Sequence, residues 1–140
     1  MQKESVRMNS ALLDKISFDR NGLVPAIAQQ HDTGEVLMMA WMNRNSVLAT
    51  LEEGQVCYWS RSRKKLWRKG ETSGHIQRLV DFRIDCDGDT LLLLVDQTGV
   101  ACHTGRHNCF FTAFREGEAE IISEVEVPPE EMYGSKPAGS

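Results

Sequence analysis

No apolar run in this 140-residue sequence approaches the length of a membrane span; the longest aliphatic stretch is Leu91 to Val95. The start, MQKESVRMNSALLDKISF, lacks an apolar segment of signal-peptide length. A cytoplasmic protein without membrane partners is therefore expected. Net positive charge is also missing. At −4, the chain does not suit general nucleic-acid binding, whose affinity comes mainly from neutralising backbone phosphates. The sequence has no GK[ST] phosphate loop, no GxGxxG and no HxE with PCxxC, which excludes the commoner phosphate cradles and the ordinary zinc nucleobase deaminases. There is no internal repeat and no linker, so one domain with one core and one site is expected.

Four cysteines are present. In a reducing compartment they point to metal ligation or nucleophilic chemistry more than to disulfides. Charge is spread unevenly: Arg61 to Lys69 carries six cations and no anion, whereas Glu116 to Glu131 carries seven glutamates.

The pattern along the chain predicts many short strands. Ser10 is a candidate cap for a short helix ending near Ile16. LVPAIAQQ reads as a strand that Pro25 confines to an edge or to its first residues. VLMMAWM, Val36 to Met42, reads as a strand, followed by a helix capped by Asn43 and ended by Gly54. QVCYWS is a further strand before the basic segment, and KGETSGH is a loop. Val80, Phe82, Ile84 and Cys86 alternate with Asp81, Arg83, Asp85 and Asp87, the period of a strand with two unlike faces. TLLLLV returns after a turn. The expected fold is α+β and β-rich, built from packed antiparallel sheets. The domain core is placed at residues 1–114, an edge strand at 115–127 and a disordered tail at 128–140.

Asp85, Asp87 and Asp89 in DCDGD repel one another unless a cation sits among them, and hard carboxylate oxygens suit magnesium. The competing interpretation is an ordinary turn, since aspartates flanking a glycine are common turn formers. An EF-hand is excluded because Thr90 stands where the loop needs glycine. Strand alternation turns Cys86 away from its acidic neighbours. Cys86, Cys102 and Cys109 together offer three soft thiolates for zinc, leaving a fourth position for water as catalytic zinc sites do; the alternative is that they pack as core residues. Cys57, between Val56 and Tyr58, is assigned to the core. His103, directly after Cys102, is placed to move protons, with His75 and His107 as competitors. YWSRSRKKLWRKG combines guanidinium forks, hydroxyls and tryptophans able to hold phosphates and stack on a planar base; a solvated basic loop is the alternative.

In combination, GEVLMMAWMN, YWSRSRKKLWRKGETSGH, DCDGDTLLLLVDQTG and ACHTGRHNCF resemble the phosphoribosyl-AMP cyclohydrolase family of histidine biosynthesis. The blocks occur in family order and span most of Gly34 to Phe110. The resemblance implies hydrolysis of the N1–C6 bond in the adenine ring of phosphoribosyl-AMP, opening the purine to a formimino-carboxamide product. It implies zinc on Cys86, Cys102 and Cys109, magnesium on Asp85, Asp87 and Asp89, and proton transfer by His103. Arg61, Ser62, Arg63, Lys65 and Lys69 would contact the substrate phosphates, with Trp59 and His75 also at the substrate. It further implies an intertwined homodimer whose zinc ligands come from both subunits, and a pair of sheets forming a pseudobarrel. Some relatives carry a following pyrophosphohydrolase domain, and this chain is expected to be monofunctional. A rival interpretation is a zinc-stabilised binding module for RNA or a phosphorylated ligand.

Overall fold

A computed structural model describes residues 11–133. It contains eight strands: β1 (Val24–Gln30), β2 (Val36–Met42), β3 (Cys57–Ser60), β4 (Lys65–Arg68), β5 (Gln77–Ile84), β6 (Leu91–Gln97), β7 (Thr112–Arg115) and β8 (Glu118–Ile121). Helix α1 (Arg44–Glu53) and the short α2 (Pro129–Tyr133) join a helical turn over residues 11–14. Ser10, the expected cap of that turn, lies outside the described residues.

The main sheet has the order β2-β1-β6-β5. β1 pairs antiparallel with β2 and parallel with β6, from Ala26↔Leu91 to Gln30↔Val95. β1 is thus central. Pro25 is tolerated because it lies one residue before pairing with β6 begins, where its missing N–H removes no bond from that ladder. Alternate residues of β1 and β6, Val24, Ala26 and Ala28 with Leu91, Leu93 and Val95, are buried and meet Leu37, Met42, Val47, Val56 and Tyr58 in the core.

α1 forms as the sequence predicts. The Asn43 side chain accepts from the Ser46 N–H at 2.9 Å while Ser46 Oγ accepts from the Asn43 N–H at 2.7 Å, a reciprocal cap. Gly54 closes the helix at φ 73°, its N–H donating to the Thr50 carbonyl.

The expected pseudobarrel of two antiparallel sheets is not what forms. The main sheet is mixed, β3–β4 and β7–β8 are separate two-stranded sheets, and none closes on itself. β5 is one edge of the main sheet, and the bridge Gln55↔Arg78 joins it to the segment before β3. The β5–β6 ladder shifts register between Leu79 and Asp81, directly after that bridge. A bulge of this kind bends its strand.

Local expectations change as well. The β5 bulge leaves Val80 exposed while Leu79, Phe82 and Ile84 pack on the core, so the alternation is broken once. β5 ends at Ile84, which puts Cys86 in a turn and removes the strand-face argument about its direction. Residues 115–127, expected to add an edge strand, contribute β8, which pairs with β7 in a two-stranded sheet. Within the segment expected to be a disordered tail, Pro129–Tyr133 is helical and Met132 is buried.

Candidate active site

The basic segment folds as the β3–β4 hairpin. Its turn is tied by the Lys64 N–H to the Ser60 carbonyl at 2.8 Å and by the Arg63 N–H to Ser60 Oγ at 3.1 Å. Lys64 takes φ 54°, a conformation usually left to glycine. Cross-strand pairing sets Tyr58 opposite Trp67 and Trp59 opposite Leu66, so the two tryptophans lie on opposite faces of the hairpin. Trp67 stacks in tilted fashion on buried Tyr58, with centroids 5.0 Å apart.

Beside this hairpin opens a cavity of about 680 Å³, lined by Ser60, Arg63, Trp67, Arg68 and Lys69, by the loop Gly70 to Ser73 and by His103. Such a volume suits a small ligand, and cations, hydroxyls and one aromatic face are the groups a phosphorylated base needs. Arg63 and Trp67 line it. Arg61 instead lies over the Trp41 ring at 4.8 Å, and Ser62, Lys65 and Trp59 are not among its lining residues. Arg68 is held by Glu53 through two bonds of 2.8 and 2.7 Å.

The segment from Val100 to Cys109 carries two of the predicted zinc ligands. Its ends meet through the Ala101 N–H to the His107 carbonyl at 3.0 Å and the Cys102 N–H to the Arg106 carbonyl at 3.1 Å. The turn brings Cys109 near enough to Cys102 for the second thiol to perturb the ionisation of the first. Cys109 reaches solvent in part, yet burial of its thiol, then the neighbouring Cys102, pushes its pKa up to about 12 despite the Lys69 charge. Thr104 Oγ1 donates to Cys102 Sγ at 3.1 Å. Lys69 donates to the Ala101 carbonyl; burial lowers its pKa, while the two cysteines act in the opposite direction. The predicted phosphate contact Lys69 is thus turned toward the cysteine segment. His103 is exposed and lines the cavity.

Cys86 is exposed in the acidic turn, and no group of three donors that includes a cysteine assembles among the described residues. Two soft thiols side by side fit part of a zinc site, but this chain alone does not complete the predicted trio. Cys57 is fully buried, as expected of a core residue.

Asp85, Asp87 and Asp89 come together with ligand oxygens within 4.8 Å of one another. The turn is shaped by Gly88 at φ 81°, where a Cβ would sit 2.5 Å from the Lys15 carbonyl, and by the Asp89 N–H donating to Asp85 Oδ1 at 3.0 Å. Hydrogen bonding with Asp87 and Asp85, then their charges, holds the Asp89 carboxyl above its ordinary range. Three oxygen donors competing for protons fit a hard divalent cation such as magnesium.

Two features escape a sequence reading. Glu35, in the turn before β2, accepts from His107 and Asn108 inside the cysteine segment. His75 spends its Nδ1 on the Val100 N–H at 3.1 Å and does not line the cavity. Neither contact has a spacing signature, because each joins segments far apart in the chain. The KGETSGH stretch reads from its small and polar residues as a loop, and Lys69 to Ser73 within it line the cavity.

The phosphoribosyl-AMP cyclohydrolase family model matches residues 38–111, the stretch that carries the hairpin, the acidic turn and both paired cysteines. A phosphoribosyl-AMP cyclohydrolase of Rhodospirillum centenum is 68% identical over 124 residues, covering 89% of this chain and 93% of the relative. The enzyme of that name from Acidiphilium cryptum is 70% identical over 116 residues, covering 83% and 100%. That of Paramagnetospirillum magneticum is 66% identical over 125 residues, covering 89% and 95%. No helix among the described residues is long and apolar enough to cross a membrane.

Proposed function

The chain belongs to the phosphoribosyl-AMP cyclohydrolase family, hydrolases of histidine biosynthesis, and on that premise we propose that it opens the adenine ring of phosphoribosyl-AMP in the cavity beside the cysteine segment. Water adds at C6, the N1–C6 bond breaks, the water oxygen stays on C6 and one proton ends on the departing N1. The observation that carries this reading is the cavity itself, which the cations, the Trp67 face and His103 line together, His103 directly following Cys102 in the chain.

Arg63 would bind phosphate through its guanidinium fork, and Ser60, Thr72 and Ser73 offer hydroxyls in the same cavity. Trp67 presents a face on which the purine can stack. His103 would take a proton from the attacking water at one ring nitrogen and return it to N1 as that bond breaks. Cys102 and Cys109 would hold zinc, with Cys86 of a second subunit as the third ligand. When bound, zinc supplies Lewis acidity that brings the ionisation of water near neutral pH. Asp85, Asp87 and Asp89 would hold magnesium.

A shared site agrees with the exposure of Cys86 and with apolar surface that a partner would cover, including Phe110 next to Cys109 and Phe114 at 76% exposure. The test is the purified chain reconstituted with zinc under reducing conditions. About one zinc per protomer and an ultraviolet change on ring opening of phosphoribosyl-AMP are expected. Zinc-loaded protein that leaves the purine ring intact would overturn the reading.

A further inference from the structure

His75 stands at the entrance of the cysteine segment. Its Nδ1 accepts the Val100 N–H at 3.1 Å, so that nitrogen carries no proton in this arrangement. The ring lies against Gly99, where an added Cβ would fall 2.6 Å from Nδ1 and 2.8 Å from Cε1. Only a residue without a side chain leaves room there. The backbone of His75 is fixed as well: its carbonyl accepts from Gln97 Nε2 at 3.0 Å, and its N–H donates to Ser73 Oγ at 3.2 Å.

The next backbone groups along the segment are held in turn. The Ala101 carbonyl receives Lys69, and the Ala101 and Cys102 N–H groups meet the carbonyls of His107 and Arg106. Val100, Ala101 and Cys102 are all buried. The place of Cys102 Sγ therefore depends on a short, clamped run of backbone whose first clamp is the His75 ring.

We propose that His75 is a positioning residue, which sets Cys102 through the Val100 N–H and does not contact the substrate. The proposal deepens the zinc reading of Cys102 and rests on it for its metal readout alone. Side-chain geometry supplies the discrimination. Asparagine places its Oδ1 close to where Nδ1 stands and can accept from Val100, whereas glutamine reaches the Nε2 position and leucine accepts nothing.

The experiment compares His75→Asn, His75→Gln and His75→Leu in the full chain. Hydrogen exchange at the Val100 amide, followed by NMR, should be faster by about tenfold or more in the Gln and Leu variants, with most protection restored by Asn. Zinc retention against a chromophoric chelator should fall roughly 10- to 100-fold in Gln and Leu, the range found when partners behind metal ligands are lost, and recover in Asn. In the same two variants kcat should fall with KM little changed.

Unaltered Val100 exchange in the Leu variant, rescue by Gln instead of Asn, or a raised KM at wild-type kcat would each overturn the proposal, the last by making His75 a substrate contact. Wild-type protein that binds no zinc would sink the metal reading alone, and amide exchange would still decide the positioning role. Should the Leu variant not fold, Gly99→Ala drives the ring off Val100 from the other side and should give the same faster exchange. Protection retained there would overturn the claim.

Discussion

Glu35 and His107 meet at 2.6 Å, carboxylate to Nδ1, and the second oxygen of Glu35 takes Asn108 Nδ2 at 2.7 Å. A residue of the turn before β2 thereby grips the stretch between the two paired cysteines.

Burial of Glu35 pushes its pKa up, but the hydrogen bonds from His107 and Asn108, with the His107 charge, outweigh it and hold the carboxyl below its ordinary value of 4.5. A carboxyl depressed in the folded state adds stability that is complete above the unfolded value and is lost as pH falls through the folded one. Glu35→Gln should cost about 1 kcal/mol near neutrality. The gap from wild type should close as pH falls below about 4.5. Denaturant titrations of both proteins across that range check it, and a gap that persists unchanged at low pH would contradict the assignment.

Gly105 and Gly117 both take positive φ, 87° and 80°, in very different surroundings. A Cβ on Gly105 would fall 1.8 Å from the Val127 carbonyl, whereas one on Gly117 meets nothing within 4 Å. Gly117→Ala should cost only the left-handed backbone penalty, about 1–2 kcal/mol. Gly105→Ala adds a clash with main chain that cannot swing aside, for a total of about 3 kcal/mol or more. Equal losses in unfolding free energy would show that the chain after Ser123 yields easily.

Much of this organisation is legible in the residue order, and the reason is locality. Asn43 with Ser46, Gly54 after α1, and the DCDGD turn are short-range patterns with a direct physical reading, so helix, turn and acidic cluster follow. Motif spacing brings Cys102 and Cys109 close because only a tight turn separates them. The openness of the sheet is not legible. Nor is the bulge between Leu79 and Asp81, because Val80, Phe82 and Ile84 alternate in sequence as an unbroken strand would. The choice of Trp67 over Trp59 depends on hairpin register, which a one-residue shift would reverse.

Two arginines of the hairpin should separate binding from stability. The Arg63 guanidinium has no protein partner among the described residues and faces the cavity, whereas Arg68 is engaged by Glu53 at the surface. Arg63→Ala should raise KM about 10- to 100-fold, the worth of a charge-assisted bond to phosphate, with kcat nearly unchanged and stability within about 0.5 kcal/mol. Arg68→Ala loses an exposed pair worth at most about 1 kcal/mol of stability. Steady-state kinetics with denaturant titration tests both. A stability loss in Arg63→Ala without a KM effect would remove it from the substrate wall.

The last prediction concerns the third zinc ligand. Cys102 and Cys109 adjoin in one chain, while Cys86 is exposed in the acidic turn. If Cys86 comes from a partner, Cys86→Ala and Cys102→Ala are each inactive as homodimers but complement when mixed. In a heterodimer of the two, one site gathers both lesions and the other keeps every ligand, so activity returns to about half of the wild-type value per dimer. Zinc should return with it, at about one ion per heterodimer. If each chain built its own site, every subunit would keep its own lesion and mixing would restore nothing. Heterodimers confirmed by mass that remain inactive and free of zinc would rule out the shared arrangement, and the Cys102–Cys109 pair would then need its third ligand from within the chain.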